Sequence, residues 1–211
     1  TAILVSRVDH ALPAALLIWA VFMYRRPLIA GVLLALATGA VYFPLFLLPL
    51  WLSFYWQRGR ARFLVGFLST LVVLVATLAW TSSSFAAFGE QLVHMVDWLR
   101  LRPAEQSGFW SFHDPAYRMP VLAAFVALSL SLSIWPAQKN LGTLLACSAA
   151  IMLAAQFWIV PDGGLYIAWY LPLLLLTIFR PNLEDRVAQT MIPTGWFARR
   201  SPAPIPVEQA A

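Results

Sequence analysis

The side chains in this chain that are suited to binding or proton chemistry are Asp9, His10, His113, Asp114, Arg118, Gln156 and Trp169. Each lies at the end of an apolar stretch or in the one long polar segment between such stretches. Carboxylates and arginines hold hydroxyls and phosphates through charge-assisted hydrogen bonds, and aromatic faces pack against sugar rings in ligand pockets. The run Gly108-Phe109-Trp110-Ser111-Phe112-His113-Asp114-Pro115-Ala116-Tyr117-Arg118 combines these types. It reads either as an interfacial anchor with solvated charges or as part of a binding site. Asp9 reads equally as a helix cap, since a carboxylate is favourable near a helix N-terminus. Gln156, with Asp162, Tyr166, Trp169 and Tyr170 beyond the Gly163-Gly164 turn, reads as belt and interhelical hydrogen bonding or as cavity wall. Polar groups at the ends of apolar helices need partners, and a shared wet cavity supplies them at lower cost than lipid. The expectation is that these residues converge on one outward-facing cavity.

No cofactor or metal is expected. His113 beside Asp114 is too little for a metal site or a proton relay, and no Cys/His cluster has zinc spacing. Cys147 is the sole cysteine and falls within an apolar stretch, which predicts packing rather than redox chemistry. The apolar stretches hold almost no ionisable residue. That argues against a proton pump or an ion-coupled transporter, which carry such groups at mid-membrane.

Charge sorting defines the elements that must position these residues. Hydrophobic residues make up 61% of the chain and charged ones 11%, against about 25% charged in soluble domains. Arg25, Arg26, Arg58, Arg60, Arg62, Lys139, Arg180, Arg186, Arg199 and Arg200 occupy one alternate set of links between apolar stretches. The other set holds Asp9, Glu90, Asp97, Glu105, Asp114 and Asp162 with only Arg7, Arg100, Arg102 and Arg118. This is a positive-inside pattern. The net charge of +5 is therefore a topology signal and an attraction to anionic lipid, and no nucleic-acid partner is expected. Trp and Tyr residues cluster near the ends of the stretches, as in an aromatic belt.

Spans are predicted at 8–24, 63–81, 119–135, 141–160 and 164–179. Residues 27–56 are too long for one span and too short for two, given about 20 residues per crossing. Pro44 and Pro49 each remove a backbone donor, which predicts a break near Tyr42-Phe43-Pro44. One crossing places Arg58, Arg60 and Arg62 opposite Arg25 and Arg26, whereas a hairpin of two short helices returns them to the same side. The charge rule favours the hairpin, and its loose backbone must then be covered by protein. Gly31, Ala35 and Gly39 share one face of its first helix and predict close packing there.

In the outer loop, 81–118, the residues Phe85, Phe88, Leu92, Met95 and Leu99 recur at helical spacing, with Glu90, Gln91, His94 and Asp97 away from that stripe. An interfacial amphipathic helix is expected over 85–99. The expected fold is all-α: a polytopic transmembrane helical bundle (1–180) with short broken helices, one interfacial helix, and a cytosolic tail (181–211) largely disordered from 201. Asn182 followed by Asp185 resembles a helix N-cap at the start of that tail. The chain begins at Thr1 beside a span, and the expectation is that it is the C-terminal part of a longer protein.

The segment Arg25-Arg26-Pro27-Leu28-Ile29-Ala30-Gly31-Val32-Leu33-Leu34-Ala35-Leu36-Ala37, then Tyr42-Phe43-Pro44 and Leu47-Leu48-Pro49-Leu50, resembles a recurring segment of polytopic GT-C glycosyltransferases. It is most similar to the polyprenyl-phosphate-mannose-dependent group. Trp169-Tyr170-Leu171-Pro172 is similar to the start of a late span in the same enzymes. Val41 stands where that family carries a lysine element before the proline, and no segment matches the family's acidic first outer loop. No catalytic position is carried over. The resemblance implies transfer of a sugar from a polyprenyl-phosphate donor at the outer face, with Arg118 or Arg7, or else Arg100 and Arg102, clamping the phosphate; a bacterial inner membrane is the default expectation for location. Membrane lipids and the donor are the implied partners, together with the preceding part of the same protein. The residues themselves leave two other readings open: a non-enzymatic membrane scaffold or assembly subunit, and a lipid or small-solute transporter.

Overall fold

The computed structural model describes residues 8–96, 115–135, 139–159 and 167–179. His113, Asp114, the end of the expected interfacial helix and the tail from residue 180, with its expected cap at Asn182, lie outside the described residues. Every regular element described is helical: α1 (Val8–Phe22), α2 (Pro27–Ala40), a 3-10 turn (Phe43–Leu47), α3 (Leu48–Phe54), α4 (Arg60–Thr81), α5 (Phe85–Val96), a short 3-10 turn (Pro115–Tyr117), α6 (Arg118–Ile134), α7 (Leu141–Ile159) and α8 (Ile167–Phe179). Among them, α4 alone is long and apolar enough to cross a membrane. Its 22 residues reach about 33 Å at the α-helical rise.

The break in residues 27–56 falls where the prolines predict it. Pro27 starts α2 at a position whose N–H has no intrahelical partner. The helix stops at Ala40; Val41 is extended (φ −150°, ψ 135°), and its N–H still bonds Ala37 O. Pro44 then opens the 3-10 turn and Pro49 the seven-residue α3. Phe43, Pro44 and Leu47 are buried, so protein covers this irregular backbone.

Two independent contacts show that this segment is a return. Leu28 packs at Gly66, Gly31 at Phe63 and Phe67, and Gly39 at Leu74. Numbers rise together along both helices, so α2 and α4 run parallel, and the chain between them must come back to where α2 began. Tyr55 Oη closes the return by donating to Tyr24 O at 2.7 Å. Gly59 (φ 112°, ψ 27°) then turns the chain into α4, a left-handed conformation that costs other residues about 1–2 kcal/mol. Arg60 folds back over the Trp56 ring at 4.1 Å.

The predicted small-residue face of α2 is the α4 contact. A Cβ at Gly31 would meet the Phe63 carbonyl oxygen, and one at Gly66 the Leu28 carbonyl oxygen. The two glycines thus interlock backbone against backbone. Ala35, on the same face, is fully buried.

The remaining helices complete a bundle: α1 packs on α2 and α8, α7 on α8, and α3 on α6 and α7. Asn140 caps α7, its Oδ1 accepting from Thr143 N at 2.7 Å. Ser84 Oγ accepts from Ala87 N at 3.1 Å and starts α5 in the same manner. α5 forms over the first twelve residues of its predicted span. Phe85 is 96% exposed, and Glu90 and Gln91 are also exposed.

Candidate functional site

The direction of the helices separates two ends. Tyr24, Arg25, Arg26, Arg58 and Arg60 lie at the end where α2 and α4 begin, tied there by the Tyr55–Tyr24 bond. Lys139 joins them, since its Nζ donates to Ser53 Oγ near the end of α3 at 3.0 Å. Among the described residues, the basic links of the sequence are therefore gathered at one end. Arg118, Trp169 and the Tyr42-Phe43 break lie toward the other.

At that second end the break meets two of the expected site residues. The Tyr42 and Phe43 rings lie 4.3 Å apart at 38°, and Phe43 meets Trp169 at 4.4 Å and 53°. Phe46, one turn on, meets Phe125 of α6 edge-on at 5.0 Å and 83°. Arg118, the first residue of α6, lies in the neighbourhood of Tyr42. Arg118 and Trp169 are thus connected through Tyr42 and Phe43, although they lie 51 positions apart in the sequence. Trp169 is 2% exposed; it serves as packed wall behind Phe43 rather than as an open stacking face. Gln156 is buried on α7, which packs against both the 3-10 turn and α8. Asp9 and His10 belong to the first turn of α1, and their side chains lie outside what is described, as do His113 and Asp114.

This arrangement suits an anionic group near Arg118 and an apolar or ring-shaped group beside the aromatic cluster. Positive charge at the start of α6 and aromatic edges at the break are its chemical resources. Phe43 was legible in the sequence only as part of the break, and its contact with Trp169 depends on the return of the chain.

A second polar cluster escaped the sequence reading. Lys139 is 3% exposed, held by Ser53 Oγ and by Ser133 O at 2.9 Å. Burial pushes its ammonium below the ordinary lysine range. Deeper in the bundle, Trp51 Nε1 donates to Ser148 Oγ at 3.3 Å, linking α3 to α7. The available signal was Ser53 and Ser148, two hydroxyls within strongly apolar helices.

No protein-family model, curated protein or solved structure matches the chain.

Proposed function

We propose that the chain is a polytopic membrane protein, the membrane region of a GT-C-like glycosyltransferase acting on a polyprenyl-phosphate sugar at the face opposite its basic end. Lipid as solvent explains the surface. Large apolar side chains are exposed on most of the helices, among them Trp19, Phe22, Val72, Trp80, Ile134, Phe157 and Phe179. Soluble monomers rarely expose contiguous apolar patches above a few hundred Å². The positive-inside rule then puts the basic end in the cytoplasm, the tail with it, and a bacterial inner membrane is the matching location.

The observation that carries the reading is the broken return between two parallel helices, with its tip at Tyr42-Phe43 packed against Trp169 and Arg118 nearby at the start of α6. Irregular backbone at membrane depth is tolerated where protein buries it or where it lines a cavity. Broken helices of this kind place substrate sites in membrane proteins.

In the reaction, an acceptor hydroxyl oxygen attacks the anomeric carbon of the donor. The bond from that carbon to the phosphate oxygen breaks, and its electron pair leaves with the polyprenyl phosphate. The acceptor proton passes to a general base, and no residue of this chain is assigned that role. Arg118 stabilises the negative charge on the leaving phosphate, and the aromatic cluster walls the site. Asp9, His10, His113, Asp114 and Gln156, assigned to the same face by sequence position alone, are the candidate ligands to sugar or acceptor hydroxyls.

The test is donor binding in lipid nanodiscs, read by native mass spectrometry with a short-chain polyprenyl-phosphate mannose. Arg118→Ala should weaken binding about tenfold, about 1.4 kcal/mol, and leave membrane insertion intact. An unmodified protein that does not bind the donor would remove the enzymatic reading and leave the scaffold and the small-solute transporter.

A further inference from the structure

The basic end contains a groove of about 690 Å³ between α3, the Trp56–Arg58 turn and the end of α6. That volume lies within the range of small-ligand sites, about 300–1,000 Å³. Its wall is apolar, with Leu52, Trp56 and Ile134, and its polar lining comes from Ser53, Gln57, Ser133, Arg58 and Lys139. Two of the lining residues are cations, and none of the described lining residues is a carboxylate. Lys139 is not a surface lysine that happens to lie nearby. It is buried, and hydrogen bonds to Ser53 Oγ and Ser133 O are among the contacts that hold Nζ at the groove.

Trp56 and Ile134 are exposed at the mouth, so the apolar wall continues onto the outer surface of the bundle. A free anion would use only the cations. A ligand with a phosphate at one end and acyl chains at the other uses the cations and the wall together.

We propose that this groove binds the phosphate headgroup of an anionic phospholipid, held by Lys139 and Arg58, with its acyl chains running over Ile134. The inference rests on the membrane reading above but concerns the opposite end of the bundle from the donor site. It assigns Lys139 and Arg58 a specific lipid contact, where the positive-inside rule requires only that they stay on one side.

The purified protein in detergent is titrated with dioctanoyl phosphatidylglycerol, dioctanoyl phosphatidylcholine and inorganic phosphate, each read by thermal unfolding and native mass spectrometry. Phosphatidylglycerol should bind at least about tenfold more tightly than phosphatidylcholine. Arg58→Gln and Lys139→Met should each reduce that preference about tenfold, the range expected when a hydrogen bond to a charged group is lost. Equal binding of the two lipids, or unchanged selectivity in Arg58→Gln, would overturn the proposal. Inorganic phosphate displacing phosphatidylglycerol at equal concentration would overturn it too, in favour of a free-anion site. Arg58 lies on a partly exposed turn, so its variant decides the matter if Lys139→Met does not fold. Lost phosphatidylglycerol binding with donor binding intact removes the groove alone; the reverse result removes the glycosyl-transfer reading alone.

Discussion

Where α2 and α4 begin, side chains reach backbone oxygens: Tyr55 Oη donates to Tyr24 O and Lys139 Nζ to Ser133 O. Two glycines bring backbones into contact there. Toward the other end, at the tip of the return, rings meet rings, Tyr42 on Phe43 and Phe43 on Trp169. The first end is fixed by directional bonds and by a fit with no slack. Ring contacts at the second contribute about 0.5–1.5 kcal/mol each beyond burial and tolerate a range of angles. One end thus sets where the chain returns, while the other is held by contacts that do not depend on one fixed geometry.

The largest expected break in this comparison is Gly66→Leu. Its Cβ would collide with the Leu28 carbonyl, a backbone atom held in α2. Overpacking of tight contacts costs about 1–3 kcal/mol, and more when the backbone cannot yield. Thermal unfolding in detergent should show a large loss of stability or no folded protein. Gly89→Ala sharpens the point: nothing lies within 4 Å of a Cβ there, so the change should be neutral or stabilising by up to about 1 kcal/mol through helix propensity.

Phe43→Ala comes next. It removes the ring between Tyr42 and Trp169 and should cost about 3 kcal/mol, in the range of buried aromatic truncations. Unlike Gly66→Leu, it should weaken donor binding in protein that still folds, read as affinity at a temperature where both proteins are intact. Tyr55→Phe is the smallest of the expected losses, at about 1 kcal/mol for one hydrogen bond. Its effect should appear as faster amide exchange around residues 24–26, with donor binding unchanged.

The break, the basic end and the small-residue face of α2 were legible because each depends on local chemistry. Pro44 and Pro49 remove donors wherever they stand, and arginines sort by side whatever the packing. The reciprocal glycine Gly66 was not legible. It sits in a span that reads as uniformly apolar, and its partner Leu28 is 38 positions away. Lys139 was read as a link charge, because nothing near it in sequence shows that Ser53 of α3 returns to meet it. The Phe43–Trp169 contact was missed for the same reason, since it exists only once the return has been made. Of the expected cavity, the described residues connect Arg118 and Trp169. Sequence position put both at ends of helices and gave no account of the aromatic bridge between them.

The central claim is that residues 41–59 go in and come back, so that α2 and α4 start from one side of a membrane. Single cysteines at Arg26, Arg58 and Ser83, each in a Cys147→Ala background, would be labelled in oriented membrane vesicles with a membrane-impermeant thiol reagent. The predicted result is labelling of positions 26 and 58 from the same side and of position 83, beyond the far end of α4, from the other. Labelling of 26 and 58 from opposite sides would contradict the return and the site built on it.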